Sequence, residues 1–220
     1  MDIKIDAGMK SKFPSIRLGC IKYTAAVEET NAALWDVIEK NVIPSLTGIM
    51  AETPINEFKN VACSRAAYKA FGKDPNRYRV SSDALYRRVK QGKGLYKINT
   101  VVDTNNLVSL ESGFSVGSYD TANISRNITF RTGLPGESYA GIGKENINIE
   151  NLPVLCDESG PFGSPTSDST RAMISLSSRD ILTVIYDFSE DENLDSLLKS
   201  AAEYFKKYAK AENIEIFTVE

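Results

Sequence analysis

Leu194, Leu197, Leu198, Ala201, Phe205 and Tyr208 recur at i, i+3, i+4, i+7, i+11 and i+14, the spacing that lines one face of an α-helix. An apolar stripe about four turns long has to be covered, so the rest of the chain must supply a surface for it. Ser189 and Glu192 precede it as an S-x-x-E capping box. The segments on either side read as strands. Ile181 to Phe188 is a nearly continuous apolar run, and Ile214, Ile216 and Thr218 alternate with polar residues.

The remaining segments mix both periods. Asp2 to Asp6 predicts a short strand and Ser15 to Val27 a longer one. Thr30 opens a helix carrying Leu34, Val37, Ile38 and Val42 on one side, expected to end near Ile43 because Pro44 disfavours helical geometry there. A second helix is expected from Asn56 to Phe71, closed by Gly72, with a turn at Lys73-Asp74-Pro75-Asn76. Ser81, Ser82 and Asp83 are N-cap candidates for a helix reaching Lys90 and stopped by Gly92 and Gly94. Asn99 to Glu111 fits either a strand or a helix in the core. Ile124 to Phe130, Ile147 to Ile149, Val154 to Cys156 and Arg171 to Leu176 read as strands set among Gly, Pro, Asn and Ser clusters. No regular βαβ repeat orders these elements, so the expected class is α+β, as one compact domain over residues 1–220.

Composition narrows the chemistry. The 220 residues include no His, which excludes Ser-His-Asp and Cys-His catalysis, His-ligated metals and imidazole pH switches. Cys20, Cys63 and Cys156 lack CxxC spacing and read as reduced core thiols. Neither a metal nor a cofactor is expected. Gly141-Ile142-Gly143 is only a GxG, with Asn146 where a dinucleotide fingerprint needs another glycine or alanine, so a turn between strands accounts for it. No S-x-x-K tetrad accompanies Ser164, Ser167 and Ser169, which argues against a covalent serine. The N-terminus lacks the apolar region of a signal peptide and no run is long enough to span a bilayer, so the expected location is the cytoplasm, away from membranes.

Charge is unevenly spread. Arg65 to Lys97 carries ten Lys and Arg against Asp74 and Asp83, whereas Asp187 to Glu220 carries nine acids against four lysines. Tyr68, Phe71, Tyr78, Tyr86 and Tyr96 interleave with those cations, a mixture that suits phosphates and stacked bases. The alternative is a solvated basic face balanced by the acidic C-terminal segment. Asn99, Asp103, Asn105, Asn106 and Asp120 form a second polar group. They could line a pocket, or simply cap turns and helix starts.

The run from Asn99 to Asp120, N-T-V-V-D-T-N-N-L-V-S-L-E-S-G-F-S-V-G-S-Y-D, resembles the B3/B4 domain, the tRNA-editing module of the phenylalanyl-tRNA synthetase β subunit. The shared elements are Asn99, Val101-Val102-Asp103, Asn106, Glu111, Gly113 and Asp120. Arg65-x-x-Tyr68, Gly72-Lys73-Asp74-Pro75, Arg77-Tyr78-Arg79, Ser81 and Leu85-x-x-Arg88 look like the stand-alone branch of that family. Arg131 with Gly136-Glu137 also fits. The resemblance is dense from about residue 60 to 140 and thinner to residue 188. It implies a layered α+β fold with a β-sandwich-like core and outer helices. It also implies a pocket for an aromatic amino acid esterified to tRNA, lined by Asn99, Asp103, Asn105, Asn106, Gly117, Tyr119, Asp120 and Glu137. Arg65, Lys69, Arg77, Arg79, Arg87, Arg88 and Lys93 would face phosphates.

The chain departs from the synthetase pattern at Asn105, Ser115 and Gly117, where that motif has Thr, Pro and His. Its loop from Ser159 to Thr170 is shorter, with Pro165 near the place of an acid. Two functions stay open. One is binding of aminoacyl-tRNA or an aminoacyl ester, with or without hydrolysis of mischarged tRNA in trans. The other is a non-catalytic module for an amino acid, a small aromatic ligand or a protein. A complete synthetase is excluded by size.

Overall fold

In a computed structural model the described residues, 1–190 and 193–220, begin with β1 (Asp2–Ile5), α1 (Ala7–Lys12) and β2 (Arg17–Thr24). A helical stretch follows, α2 (Ala32–Val37), a π turn (Ile38–Val42) and α3 (Ile43–Glu52), then α4 (Lys59–Ala70), α5 (Ser81–Lys90) and α6 (Thr100–Ser112). The second half holds β3 (Ser115–Asp120), β4 (Asn127–Thr132), β5 (Ser138–Gly141), β6 (Lys144–Asn148), β7 (Pro153–Asp157), β8 (Gly160–Gly163) and β9 (Asp180–Asp187). α7 (Leu194–Ala209) and β10 (Glu212–Val219) complete it.

Two four-stranded sheets, ordered β1-β4-β7-β8 and β10-β2-β9-β3, pack face to face, while β5 and β6 form a hairpin. Only the β1–β4 pairing within these sheets is parallel. The fold is α+β, with the sandwich core and outer helices that the sequence implied. Leu18, Cys20, Tyr119, Phe130, Leu155, Phe162, Leu182, Val184 and Tyr186 fill the space between the sheets.

β9 explains how the layers are joined. Leu182, Val184 and Tyr186 face the opposite sheet, whereas Ile181 and Ile185 face α6 and α7. A strand buried on both faces has no polar side to alternate with, hence its continuous apolar sequence. The stripe on α7 covers the second face, with Leu194, Leu198, Ala201 and Phe205 buried among Ile21, Tyr23, Ile181 and Ile185. Gly19 of β2 permits the close approach, since a Cβ there would lie 2.9 Å from Leu198 Cδ2. α2 to α6 pack around Trp35, Ile38, Tyr86 and Leu107 as a further core.

Several expectations need correction. Pro44 does not end the first long helix. It falls in the first turn of α3, and the π turn ahead of it absorbs the change, with the Ile43 N–H reaching back to Ile38 O. A proline lacks the donor and crowds the carbonyl four residues back, and a widened turn relieves both. Asn99 to Glu111 is resolved as helix. Asn99 caps α6 by accepting from the Val101 and Val102 N–H groups, and Gly113, at φ 76°, closes it. Thr170–Ala172 is a short 3-10 turn where a strand was expected. β3, β5 and β8 are strands that glycines concealed. Val80, not a serine, precedes α5, and it makes no side-chain cap. The Ser189 hydroxyl donates to Asp187 and Asn60, while Glu192 of the expected capping box lies outside the described residues.

No disulfide joins Cys20, Cys63 and Cys156, and burial pushes the Cys20 and Cys156 thiols up to about 12. No helix among the described residues is long and apolar enough to cross a membrane. Leu198→Ala should lower stability by about 2–5 kcal/mol in a urea titration, because truncating this buried side chain leaves a cavity where α7 meets β2. Ser200→Ala, on the exposed side of α7, should stay within about 0.5 kcal/mol in the same urea titration.

Candidate functional site

α5 and α6 lie over β3, at the edge of its sheet. Between them is a cleft of about 260 Å³ lined by Ser81, Ala84, Leu85, Arg88, Asn106, Ser109, Val116 and Thr166. The loop carrying Thr166 is fastened to the start of α5, where the Ser81 N–H donates to Pro165 O at 2.7 Å. Ser82 is held to Ser115 of β3, its N–H and the Ser115 hydroxyl 3.3 Å apart. Arg88 donates through Nε to Gly94 O at 2.6 Å, and its guanidinium lies 4.0 Å over the Tyr96 ring.

Of the eight residues expected to share a pocket, Asn106 alone lines this cleft. The others are dispersed. Asn99 caps α6. Asp103 is buried and accepts from Trp35 Nε1 at 2.8 Å and from the Ile98 N–H at 3.0 Å. Burial raises its pKa against those donors. Asn105 accepts from the Ser118 hydroxyl, which connects through Thr183 to Tyr23 between the sheet and α7. Asp120 accepts from the Ala122 N–H and the Ser178 hydroxyl, capping the turn after β3. Glu137 makes a two-pronged pair with Arg131 at 2.8 and 2.7 Å, and this partner holds its carboxyl below the ordinary value. Asn105, Gly117 and Glu137 therefore do not meet in one cavity. For Asn99 and Asp120 the capping interpretation is the observed one.

Gly117 and Tyr119 face the interior between the sheets, where the Tyr119 ring folds back over Gly117. A Cβ on Gly117, or on Gly163 of the opposing sheet, would collide with the Tyr119 hydroxyl. That hydroxyl donates to Asp168 Oδ1 at 2.8 Å and lies 2.5 Å from the Tyr186 hydroxyl. The hollow that a glycine at position 117 could have opened is filled by the chain's own phenol.

Asp168 is the residue that sequence reasoning missed. It is the one acid between Ser159 and Thr170, a signal that attention to Pro165 obscured. Its Oδ1 also accepts from the Ser164 N–H at 2.9 Å. Tyr68 is bonded to Thr166, and Tyr139 donates to Ser167 O, so with Tyr119 three tyrosines bond one loop and Tyr186 joins them through Tyr119. Burial pushes the Asp168 carboxyl up to about 6. Burial, and then the nearby Asp168 charge, holds the Tyr119 and Tyr186 phenols well above their ordinary value.

The basic segment divides in two. Arg65 and Arg87 pair with buried Asp83 at 3.1 and 2.6 Å. They serve the fold at that carboxylate and do not balance the C-terminal acids. Lys69, Arg77, Arg79 and Lys93 are exposed. Arg77 lies 5.6 Å from the Tyr78 ring centroid.

A family model described as the B3/4 domain matches residues 62–216, more than half of the chain. The chain belongs to the B3/4 domain family. The phenylalanine–tRNA ligase β subunit of Brucella abortus (strain 2308) is 27% identical over 128 residues, which cover 56% of this chain and 16% of that subunit. The corresponding subunit of Nocardia farcinica (strain IFM 10152) is 35% identical over 101 residues, covering 44% of this chain and 12% of its own length. The chain thus spans a small part of these curated relatives. An N-terminal fragment of the phenylalanyl-tRNA synthetase β-subunit from Pyrococcus horikoshii shares the fold, with a TM-score of 0.50 at 12% identity over 99% of this chain and 53% of that one. The B3/4 match begins in α4 and ends in β10. β2 lies before it, yet occupies the place between β10 and β9.

The Asp168 carboxyl of this B3/4 domain makes a prediction with a definite sign. Between its ordinary value of 3.8 and about 6 the native state holds a proton that the unfolded chain has released. Stability from this group is therefore complete below that window and is lost as pH rises through it. Asp168→Asn keeps an acceptor oxygen but cannot ionise. The melting temperature of wild type minus that of Asp168→Asn should fall between about pH 4 and 6 and then level off. A flat difference would contradict this account.

Proposed function

We propose that this B3/4 domain holds the aminoacylated end of a tRNA, or a related aminoacyl ester, in the cleft between α5, α6 and β3. The observation that carries the reading is the meeting of Asn106, from the motif shared with the synthetase subunit, with Arg88 on one concave wall. Ser81 adds a hydroxyl that suits ribose and ester oxygens, whereas those of Ser109 and Thr166 already bond Phe114 O and the Tyr68 hydroxyl. Arg79 precedes Ser81 by two residues, and Lys93 neighbours the Arg88 guanidinium, so exposed cations border the cleft where a phosphate backbone would run.

The reading favours binding over turnover by the protein. Among the described residues Arg88 is the charged side chain of the cleft wall, and none of those lining it is a carboxylate or thiol that could act as a base. Any hydrolysis would draw on the substrate's own ribose hydroxyl to activate water. The deeply placed Tyr119 supports the same view, since the space beneath Gly117 is closed to a ligand.

A panel of correctly and incorrectly charged tRNAs tests this by filter binding and by release of the amino acid. Binding should exceed that to a control acidic polymer, and Lys93→Ala should reduce the salt slope by roughly 1. Asn106→Leu should weaken charged tRNA about tenfold while uncharged tRNA changes little. Binding no better than to the acidic polymer, or an Asn106→Leu variant indistinguishable from wild type, would remove this reading.

A further inference from the structure

A hollow larger than the cleft lies on the other side of α5. A cavity of about 580 Å³ lies between α3, α4, α5 and the end of α6, and it shares no residue with the cleft. Its walls are Leu46, Ile49, Phe58, Leu110 and the Tyr86 ring. Ile49 remains 50% exposed there, an apolar side chain left to solvent on a concave surface. The volume is that of a small-ligand site, with apolar and polar residues in equal number around it. The π turn supplies Asn41 and Val42 to the same wall, and such turns are frequent at functional sites.

The polar end carries one charge of each sign, Glu111 and Lys59. Glu111 stands at the C-terminal end of α6, where the helix dipole adds to its attraction for a cation. Tyr204 is close enough for Glu111 to raise its pKa, after burial. Lys59 keeps a partner of its own within the fold, and an ammonium with three donors can serve two acceptors. An occupant that satisfies this wall needs a large apolar group, an ammonium and a carboxylate.

We propose that this cavity is a binding site for a free α-amino acid with a large apolar side chain. The ammonium meets Glu111, the carboxylate shares Lys59, and the side chain lies against Leu46, Ile49, Phe58 and Leu110. The site is independent of the cleft, so it stands or falls without the tRNA reading.

Calorimetry on the full chain with L-phenylalanine and L-leucine tests it. Saturable binding is expected, and phenethylamine and 3-phenylpropionate, each lacking one charge, should bind about tenfold more weakly than phenylalanine. Ile49→Trp and Ser45→Phe are two exposed plugs of the same cavity, and each should abolish binding while circular dichroism stays native. Glu111→Gln should weaken phenylalanine about tenfold and leave 3-phenylpropionate unchanged. The proposal is overturned by no saturable binding up to about 10 mM. It is also overturned if both charge-deleted analogues match phenylalanine, or if a folded plug variant binds as wild type does.

Discussion

One phenol holds the two sheets in their present relation. Tyr119 starts from β3 in one sheet, lies against Gly163 in the other, and ends its hydroxyl on Asp168 and Tyr186. Two glycines give way to its ring, and a buried carboxylate gives the hydroxyl a reason to stay, since a phenol left without a partner there would carry the full desolvation penalty. The loop from Ser164 to Asp168 is then tied from several directions, by Tyr68 of α4, Ser81 of α5 and Tyr139 of β5. Thr166, on the cleft wall, owes its position partly to the Tyr68 and Tyr139 contacts, whose residues do not line the cleft.

The same economy governs the charges. A row of cations in a sequence suggests a polyanion, but Arg65 and Arg87 are spent on Asp83, which is buried in the first turn of α5. Breaking a buried pair leaves an uncompensated charge, so these arginines answer to packing before they answer to any partner. Cations with no such duty, Lys69, Arg77, Arg79 and Lys93, are those a ligand's phosphates could meet.

Much of the architecture was legible because it rests on period and burial. The α7 stripe and the apolar run of β9 each stated their surroundings, whereas Asn99 to Glu111 stayed open between strand and helix, a choice that the caps at Asn99 and Gly113 decide in the structure. β3 was hidden because Gly117 interrupts its pattern, and the reason for that glycine, Tyr119 folded back on it, is a tertiary contact that no local window contains. The dispersal of Asn105, Gly117 and Glu137 has the same origin. Neighbours along β3 point to opposite faces, so Ser118 leads Asn105 toward the helices while Gly117 faces the other sheet. Within the stretch that carries the family motif, side-chain direction decides which of the shared residues meet in one space, and of these Asn106 is the one that reaches the cleft.

The π turn between α2 and α3 lets one helical segment keep its continuity across a proline. A widened turn gives the backbone an i→i+5 bond where the ordinary ladder would meet the ring. Here it lies just before Pro44 and between two anchored stretches, Leu34 to Ile38 and Leu46 to Met50, both packed in one core. Both halves of the segment therefore hold their seats in that core, and the proline changes the pitch of the chain between them without parting it.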